Sequence, residues 1–328
     1  MNTAQQLRKD IEACEIPHLF FDTLLTALEQ RIEDTLAGFA PKIERISGPS
    51  GVGKSSIVAS LARKYPESRI EGRRYIPVLI VRVPQAATPK LLPKSVLAAL
   101  GIKVAASPTA GTMFDLMVEQ LRLAGTRVIV FDETSHLVDE GSRVPPRAAS
   151  DWLKELADKL DITLILLGIP RIEKLFSANE QLPRRARPVR YFRPYDPRDE
   201  MQMAAYASCV ASYGEMFATA GYPISVPSQI LTEQSFLLSG GLIGVLADFV
   251  RELARLLNNV APRPVTYLDC VRAVEEVSHA GSPHQLAFQN SAENNADVEP
   301  AALTQAYAHV LSRNTMPVTI RKNGGIQQ

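Results

Sequence analysis

Hydrophobic positions along the N-terminal part of the chain switch repeatedly between helical and strand-like spacing. Between residues 22 and 37, Leu24, Leu25, Leu28, Ile32 and Leu36 recur at the interval of one helix face. Asp22 is the expected N-cap of that helix and Pro41 its stop. A short run, Ile43 to Ser47, reads as a strand and enters a glycine-rich segment. After it, Ile57, Val58 and Leu61 mark the inner face of another helix. Ile76 to Val83 is almost continuously apolar, which suits a strand covered on both sides. Val128 to Phe131 and Ile162 to Leu167 repeat that signature, and Val189 to Phe192 is a shorter candidate. Helical patterns near 112–123 and around Trp152, Leu153, Leu156 and Leu160 separate them. Strands alternating with helices predict an α/β fold with a doubly wound parallel sheet.

Beyond Pro197 only helical spacing remains. Helices are expected at 198–213, at 228–238 and at 242–257, where Leu242, Val245, Leu246, Phe249, Leu253 and Leu256 share a face. The expected division is a helical N-terminal segment (1–40), an αβα core (41–196), a small helical domain (197–280) and a partly flexible tail (281–328). Residues 273–312 lack Lys and Arg, the stretch SAENNADVE reads as an exposed loop, and a last helix is expected at 300–312.

Composition narrows the possibilities. The 328 residues carry 36 basic and 35 acidic side chains, so a globally basic nucleic-acid coat is excluded, though a local patch is not. Cys14, Cys209 and Cys270 share no ligand spacing, and the five histidines (18, 136, 279, 284, 309) have no metal pattern. His136 reads as structural, and His18 as a candidate lining of a base pocket. No apolar run reaches the length of a membrane helix and the N-terminus is not a signal peptide, so the expectation is a soluble, cytoplasmic protein.

Gly48-Pro49-Ser50-Gly51-Val52-Gly53-Lys54-Ser55 matches G-x-x-x-x-G-K-[ST], with Ser56 following. Small residues let successive backbone N–H groups turn toward phosphate oxygens, and the following helix adds its positive N-terminal end. Lys54 would reach the β- and γ-phosphates, and the Ser55 hydroxyl would ligate Mg²⁺. A glycine-rich turn with an incidental lysine is the bland alternative, and the strand before and helix after it argue against that.

The strand Val128-Ile129-Val130-Phe131 ends in Asp132-Glu133. An aspartate at a strand's carboxyl end, in a sheet that feeds a phosphate loop, can hold the Mg²⁺ shell. Glu133, one step on, can polarise an attacking water, which favours hydrolysis over transfer to a metabolite. With no Asn-Lys-x-Asp guanine motif present, ATP is favoured over GTP.

Arg184, Arg185, Arg187, Arg190, Arg193 and Arg198 lie close together with one acid, Asp196. Such a cluster is either a solvated basic face, a nucleic-acid contact, or the source of an arginine reaching a neighbouring subunit's γ-phosphate.

Taken with these motifs, the segments GPSGVGKSS, PVLIVRVP followed by ATPKLLPKSVLAALGI, VIVFDETSHL, ITLILLGIP, NEQLPRRARPVRYFRPYD and SGGLIGVLADFV resemble the TnsC/TniB group of AAA+ regulators of DNA transposition, over about residues 15–260. One strand separating the two motifs is also the order found in additional-strand ATPases. The resemblance implies an AAA+ P-loop fold with a C-terminal helical lid, ATP and Mg²⁺ as cofactors, and ATP-dependent homo-oligomerisation around double-stranded DNA. It further implies that the oligomer links a TniQ-like target selector, sometimes with a CRISPR effector, to a transposase. By position, Lys54, Ser55, Asp132 and Glu133 become nucleotide-site residues, and Arg184 or Arg185 the trans-acting arginine, with Arg187 a further candidate.

The chain departs from AAA+ habit at two points. The end of the fourth strand, Leu166-Leu167-Gly168, offers no polar sensor, and the lid turn Gly240-Gly241-Leu242-Ile243-Gly244 offers no arginine. Both suggest slow, switch-like hydrolysis. A ring or filament on DNA would need backbone-contacting groups, for which Lys103, Thr109, Arg143 and Arg147 on predicted loops are candidates. The rival readings are a secretion-associated ATPase, a replication-associated adaptor ATPase and a monomeric metabolite kinase.

Overall fold

The computed structural model describes residues 3–14, 16, 18–104, 109–139, 141–178, 182–277, 287–289, 298–314 and 316. His279, His284 and most of the expected 281–328 tail, including nearly all of SAENNADVE, lie outside the described residues.

Among the described residues, β1 (Ile43–Ser47), β4 (Val78–Arg82), β5 (Val128–Asp132), β6 (Thr163–Gly168) and β7 (Arg190–Tyr191) form one sheet of order β4-β5-β6-β1-β7, paired in parallel throughout. Alternation along each strand sorts its side chains between two helical layers. Leu79, Val81, Ile129, Phe131, Leu164 and Leu166 pack with α4 (Leu91–Ala99), α5 (Ala110–Leu123), α6 (Pro146–Leu160) and α7 (Glu173–Ser177). Val78, Val128, Val130, Ile165 and Leu167 face the other way, toward α2 (Leu19–Leu36) and α3 (Lys54–Lys64). Both faces are covered, which is why these strands read as unbroken apolar runs.

A third apolar cluster lies off the sheet. It joins α9 (Glu200–Thr219), α10 (Ser228–Ser239), α11 (Ile243–Leu256), α12 (Tyr267–Val277) and α13 (Pro300–Arg313) with α1 (Thr3–Ala13) from the opposite end of the chain. α1 and α2 therefore serve different cores. No single helix among the described residues is long and apolar enough to cross a membrane.

Several expectations are corrected. α2 begins at Leu19 with His18 as N-cap, so Asp22 sits inside the first turn and caps nothing. The apolar Leu19, Phe20 and Phe21 carry the helix one turn further toward the N-terminus. α9 starts at Glu200 because the Asp199 carboxylate accepts from the Met201 and Gln202 amides, and it runs to Thr219 rather than 213. A hairpin went unforeseen: β2 (Ser68–Ile70) pairs antiparallel with β3 (Arg73–Tyr75) through Glu71 and Gly72, both at positive φ. Its residues are almost all exposed and polar, so no hydrophobic alternation announces it.

Glu44 in β1 is a buried exception to the apolar strands, at 1% exposure. Arg31 of α2 donates to it at 2.9 Å, and Arg190 and Arg187 lie at 3.4 and 3.7 Å. The carboxylate thus ties α2, β1 and β7 together.

Candidate nucleotide site

The phosphate loop and the acidic strand end meet because β6 alone separates β1 from β5, so both motifs leave the sheet at its carboxyl edge. That edge is where open α/β sheets bind ligands. Gly51 and Gly53 hold φ of +79° and +111°, turning the loop so that its amides line a concave backbone. Gly53 is the N-cap of α3, which starts at Lys54. The Val52 side chain points down into the core and Phe192 packs beneath the loop, so loop shape is set from below.

Lys54 is buried, and its Nζ donates to the carbonyls of Gly48 and Pro49 at 2.8 and 2.7 Å. Burial lowers its pKa to about 8, with nearby Glu133 and Asp132 working in the opposite direction. Asp132 continues the β5 ladder, and its Oδ1 accepts from the Glu133 amide at 2.9 Å. Burial raises the Asp132 pKa. Glu133 stands at φ +55°, a left-handed conformation uncommon for a residue with a Cβ.

Lys54 and Glu133 open onto a cleft of about 300 Å³. Its lower wall is Ser50, Gly51, Gly53, Lys54, Ser55, Ser56 and Glu133. Cys14, Ile16, His18 and Phe21 form one side, and Tyr213 of α9 with Ile243, Gly244, Ala247, Asp248 and Arg251 of α11 form the roof. Gly48, Pro49, Val52 and Asp132 belong to the surrounding frame and do not line the cleft. His18 lines the cleft. Its Nδ1 lies 2.9 Å from the Tyr195 hydroxyl, and burial lowers its pKa to about 4. Tyr213, Asp248 and Arg251 were not foreseen. The helical periodicity of α11 pointed to its core face, and cleft-lining polar residues on the adjacent face give no comparable signal.

The arginine cluster divides once partners are seen. Arg187 and Arg190 face Glu44, Arg198 is bidentate on Asp196, and Arg185 pairs with Asp158 of α6. Arg184, on α8 (Leu182–Arg185), is exposed and forms no ion pair among the described residues. The four DNA candidates are also separated. Lys103 follows the C-terminal end of α4, where Arg74 of the β2–β3 hairpin donates to the Leu100 carbonyl. Thr109 caps α5, accepting from the Thr112 amide at 3.2 Å, near Pro89 and Pro93 at the other end of α4. Arg143, whose amide bonds to the Ala87 carbonyl of the loop preceding α4, is exposed, as is Arg147 in the first turn of α6.

A family profile described as Bacterial TniB protein matches residues 16–194, more than half of the chain. The chain belongs to the TniB family. This match spans the phosphate loop, Asp132-Glu133 and the arginine cluster up to Arg193. No curated protein sequence matches the TniB chain significantly. Solved structures resemble it in fold. Cdc6p from Pyrobaculum aerophilum aligns over 95% of this chain and 86% of its own, with TM-score 0.61 and 13% identity. The Aeropyrum pernix ORC1 protein, solved in complex with DNA, aligns over 82% and 69%, with TM-score 0.58 and 17% identity. Drosophila ORC bound to DNA aligns over 97% and 80%, with TM-score 0.51 and 14% identity. The fold is that of AAA+ P-loop NTPases. Family and fold together make this TniB protein an AAA+ ATPase.

Proposed function

We propose that this TniB protein is an ATP-switched oligomer on double-stranded DNA that links target selection to transposition. The observation that carries the reading is the cleft in which Lys54, Ser55 and Glu133 face one another under a roof of α11. The loop amides around Gly51 and Gly53 receive the phosphates, and Lys54 exchanges its two loop carbonyls for β- and γ-phosphate oxygens. Glu133, held in a sparsely populated backbone conformation, orients and deprotonates the attacking water.

An oxygen-only donor pair, the Ser55 hydroxyl and the Asp132 carboxylate, suits Mg²⁺, which takes few protein ligands and keeps several waters. The ion would supply charge neutralisation at the phosphates. Arg184 is the arginine left to approach a neighbouring subunit's nucleotide, since Arg185 is held by Asp158. DNA is met through its backbone, by Lys103 at one end of α4, by Thr109 and Arg143 at the other, and by Arg147 in the first turn of α6. The similar ORC structures were solved with DNA, which supports the class of ligand. The partners of the oligomer are a TniQ-like selector, alone or with a CRISPR effector, and a transposase. The setting is the cytoplasm.

Electron microscopy of the full chain with ATP, Mg²⁺ and duplex DNA tests the reading. Rings or filaments threaded on DNA are expected, and they should persist in Glu133→Gln while hydrolysis falls by about 10²-fold or more. A chain that stays monomeric with nucleotide and duplex together rules the reading out.

A further inference from the structure

The cleft has a second end that phosphate chemistry does not use. The Gly244 amide donates to the Gly51 carbonyl at 2.8 Å, so α11 sits directly on the phosphate loop. A Cβ at position 244 would stand 2.4 Å from that carbonyl oxygen. At position 244 itself no side chain fits, arginine included, while Leu242 and Val245 pack on either side of the contact. From this contact the helix presents Ala247, Asp248 and Arg251 to the cleft, at spacings of three, four and seven residues. The helix rise places Arg251 about 10 Å along the axis from Gly244.

At that distance Arg251 joins Tyr213 of α9. Tyr213 is 4% exposed, lines the cleft, and its hydroxyl finds no hydrogen-bond partner among the described residues. Arg251, Asp248 and Cys14 all lie within electrostatic reach of that hydroxyl. Arg251 is tethered by Asp248, with Nη1 to Oδ1 at 2.7 Å. The ring is buried while the hydroxyl is open to the cleft, and such a hydroxyl beside a guanidinium held by Asp248 is a polar subsite about 10 Å along α11 from the phosphate loop.

We propose that Tyr213, Asp248 and Arg251 form a nucleoside-holding subsite that grips ribose and base from the helical side, and that α11 does not read the terminal phosphate. The inference rests on the nucleotide reading of the cleft. The planar guanidinium covers one face of the base, an arrangement open to arginine and not to lysine. Asp248 keeps the guanidinium in place through Oδ1 and accepts from a ribose hydroxyl through Oδ2. The Tyr213 hydroxyl completes its hydrogen bonding on the same sugar or on the base edge. Within the Gly240–Gly244 turn the backbone contact with Gly51 leaves position 244 no room for an arginine, and the cation of this helix serves the other end of the ligand.

Titration calorimetry with ATP, ADP and inorganic tripolyphosphate separates the alternatives, using wild type, Arg251→Ala, Tyr213→Phe and Lys54→Ala. Arg251→Ala should weaken ATP and ADP by the same factor, about tenfold, and leave tripolyphosphate unchanged. Tyr213→Phe should weaken both nucleotides about fivefold. Lys54→Ala should weaken all three ligands. A loss for ATP without a loss for ADP would mean that Arg251 senses the γ-phosphate, and the proposal falls. An equal loss for tripolyphosphate, or no change in either variant, overturns it too. If folded wild type binds neither nucleotide, the nucleotide reading itself has failed. If wild type binds and only these variants are silent, the nucleotide reading stands without this subsite.

Discussion

The Gly244 amide donates to the Gly51 carbonyl at 2.8 Å, so the first turn of α11 and the tip of the phosphate loop are joined backbone to backbone. Such a contact passes any movement of the loop directly to the helical layer. A methyl group at position 244 must displace one of the two backbones. Gly244→Ala should therefore lower nucleotide affinity about tenfold and destabilise the chain by about 1–3 kcal/mol. Fluorescent-nucleotide titration and a urea melt measure the two effects. Unchanged affinity in a folded variant would show that loop and helix are not coupled.

The Lys54 ammonium is held by two carbonyls in a buried setting that lowers its pKa to about 8. The charge proposed to attract phosphate is present below that value and lost above it. Nucleotide affinity should accordingly fall about tenfold between pH 7 and pH 9, since one unit above the pKa leaves a tenth of the lysine charged. Lys54→Arg should bind more weakly at pH 7, for want of room, yet show a flat profile across the same window. Equal slopes in both proteins would assign the titration elsewhere.

Arg184 and Arg185 are neighbours with different commitments. Arg185 is held to Asp158, whereas Arg184 is exposed without an ion pair among the described residues. Arg184→Ala should abolish assembly-dependent ATP hydrolysis, by about 10³-fold, while leaving nucleotide binding intact. Arg185→Ala should cost at most about 1 kcal/mol of stability, as an exposed ion pair does. Mixing Arg184→Ala with Lys54→Ala chains should restore part of the activity, because one supplies the pocket and the other the arginine. Failure of the mixture to recover any activity argues against a role in trans.

Elements with a two-sided core were legible in the sequence. β4, β5 and β6 are unbroken apolar runs because helices cover both faces, and Gly48 to Ser55 announces a loop whose backbone has to turn inward. The hairpin of Ser68–Tyr75 was not legible, since it buries almost nothing and rests on turn geometry at Glu71 and Gly72. The start of α2 was misread because Asp22 resembles a cap, while three apolar residues ahead of it extend the helix. The arginine cluster could be found but not sorted. Glu44, one acidic residue in a strand, decides the place of Arg187 and Arg190, and nothing local in the sequence connects them. Tyr213 and Arg251 reach the cleft only through the packing of α9 and α11 over the phosphate loop.

His18 ties the N-terminal side of the cleft to the strand that supports the phosphate loop. Its ring stacks 6.3 Å from Phe192, which packs beneath Gly48 and Gly53, and its Nδ1 lies 2.9 Å from the Tyr195 hydroxyl. Burial lowers its pKa from 6.5 to about 4. Below about pH 6.5 the unfolded chain takes up a proton at this position, and the folded chain does so only near pH 4. Proton uptake therefore favours unfolding throughout that window, and stability falls as pH drops from 6.5 toward 4. The full effect is about 3 kcal/mol. Urea melts of wild type at pH 7 and pH 4.5 should differ by most of that amount more than melts of His18→Gln, which cannot titrate. If wild type and His18→Gln lose stability in parallel, another group governs the acid response and His18 is protonated in the folded state.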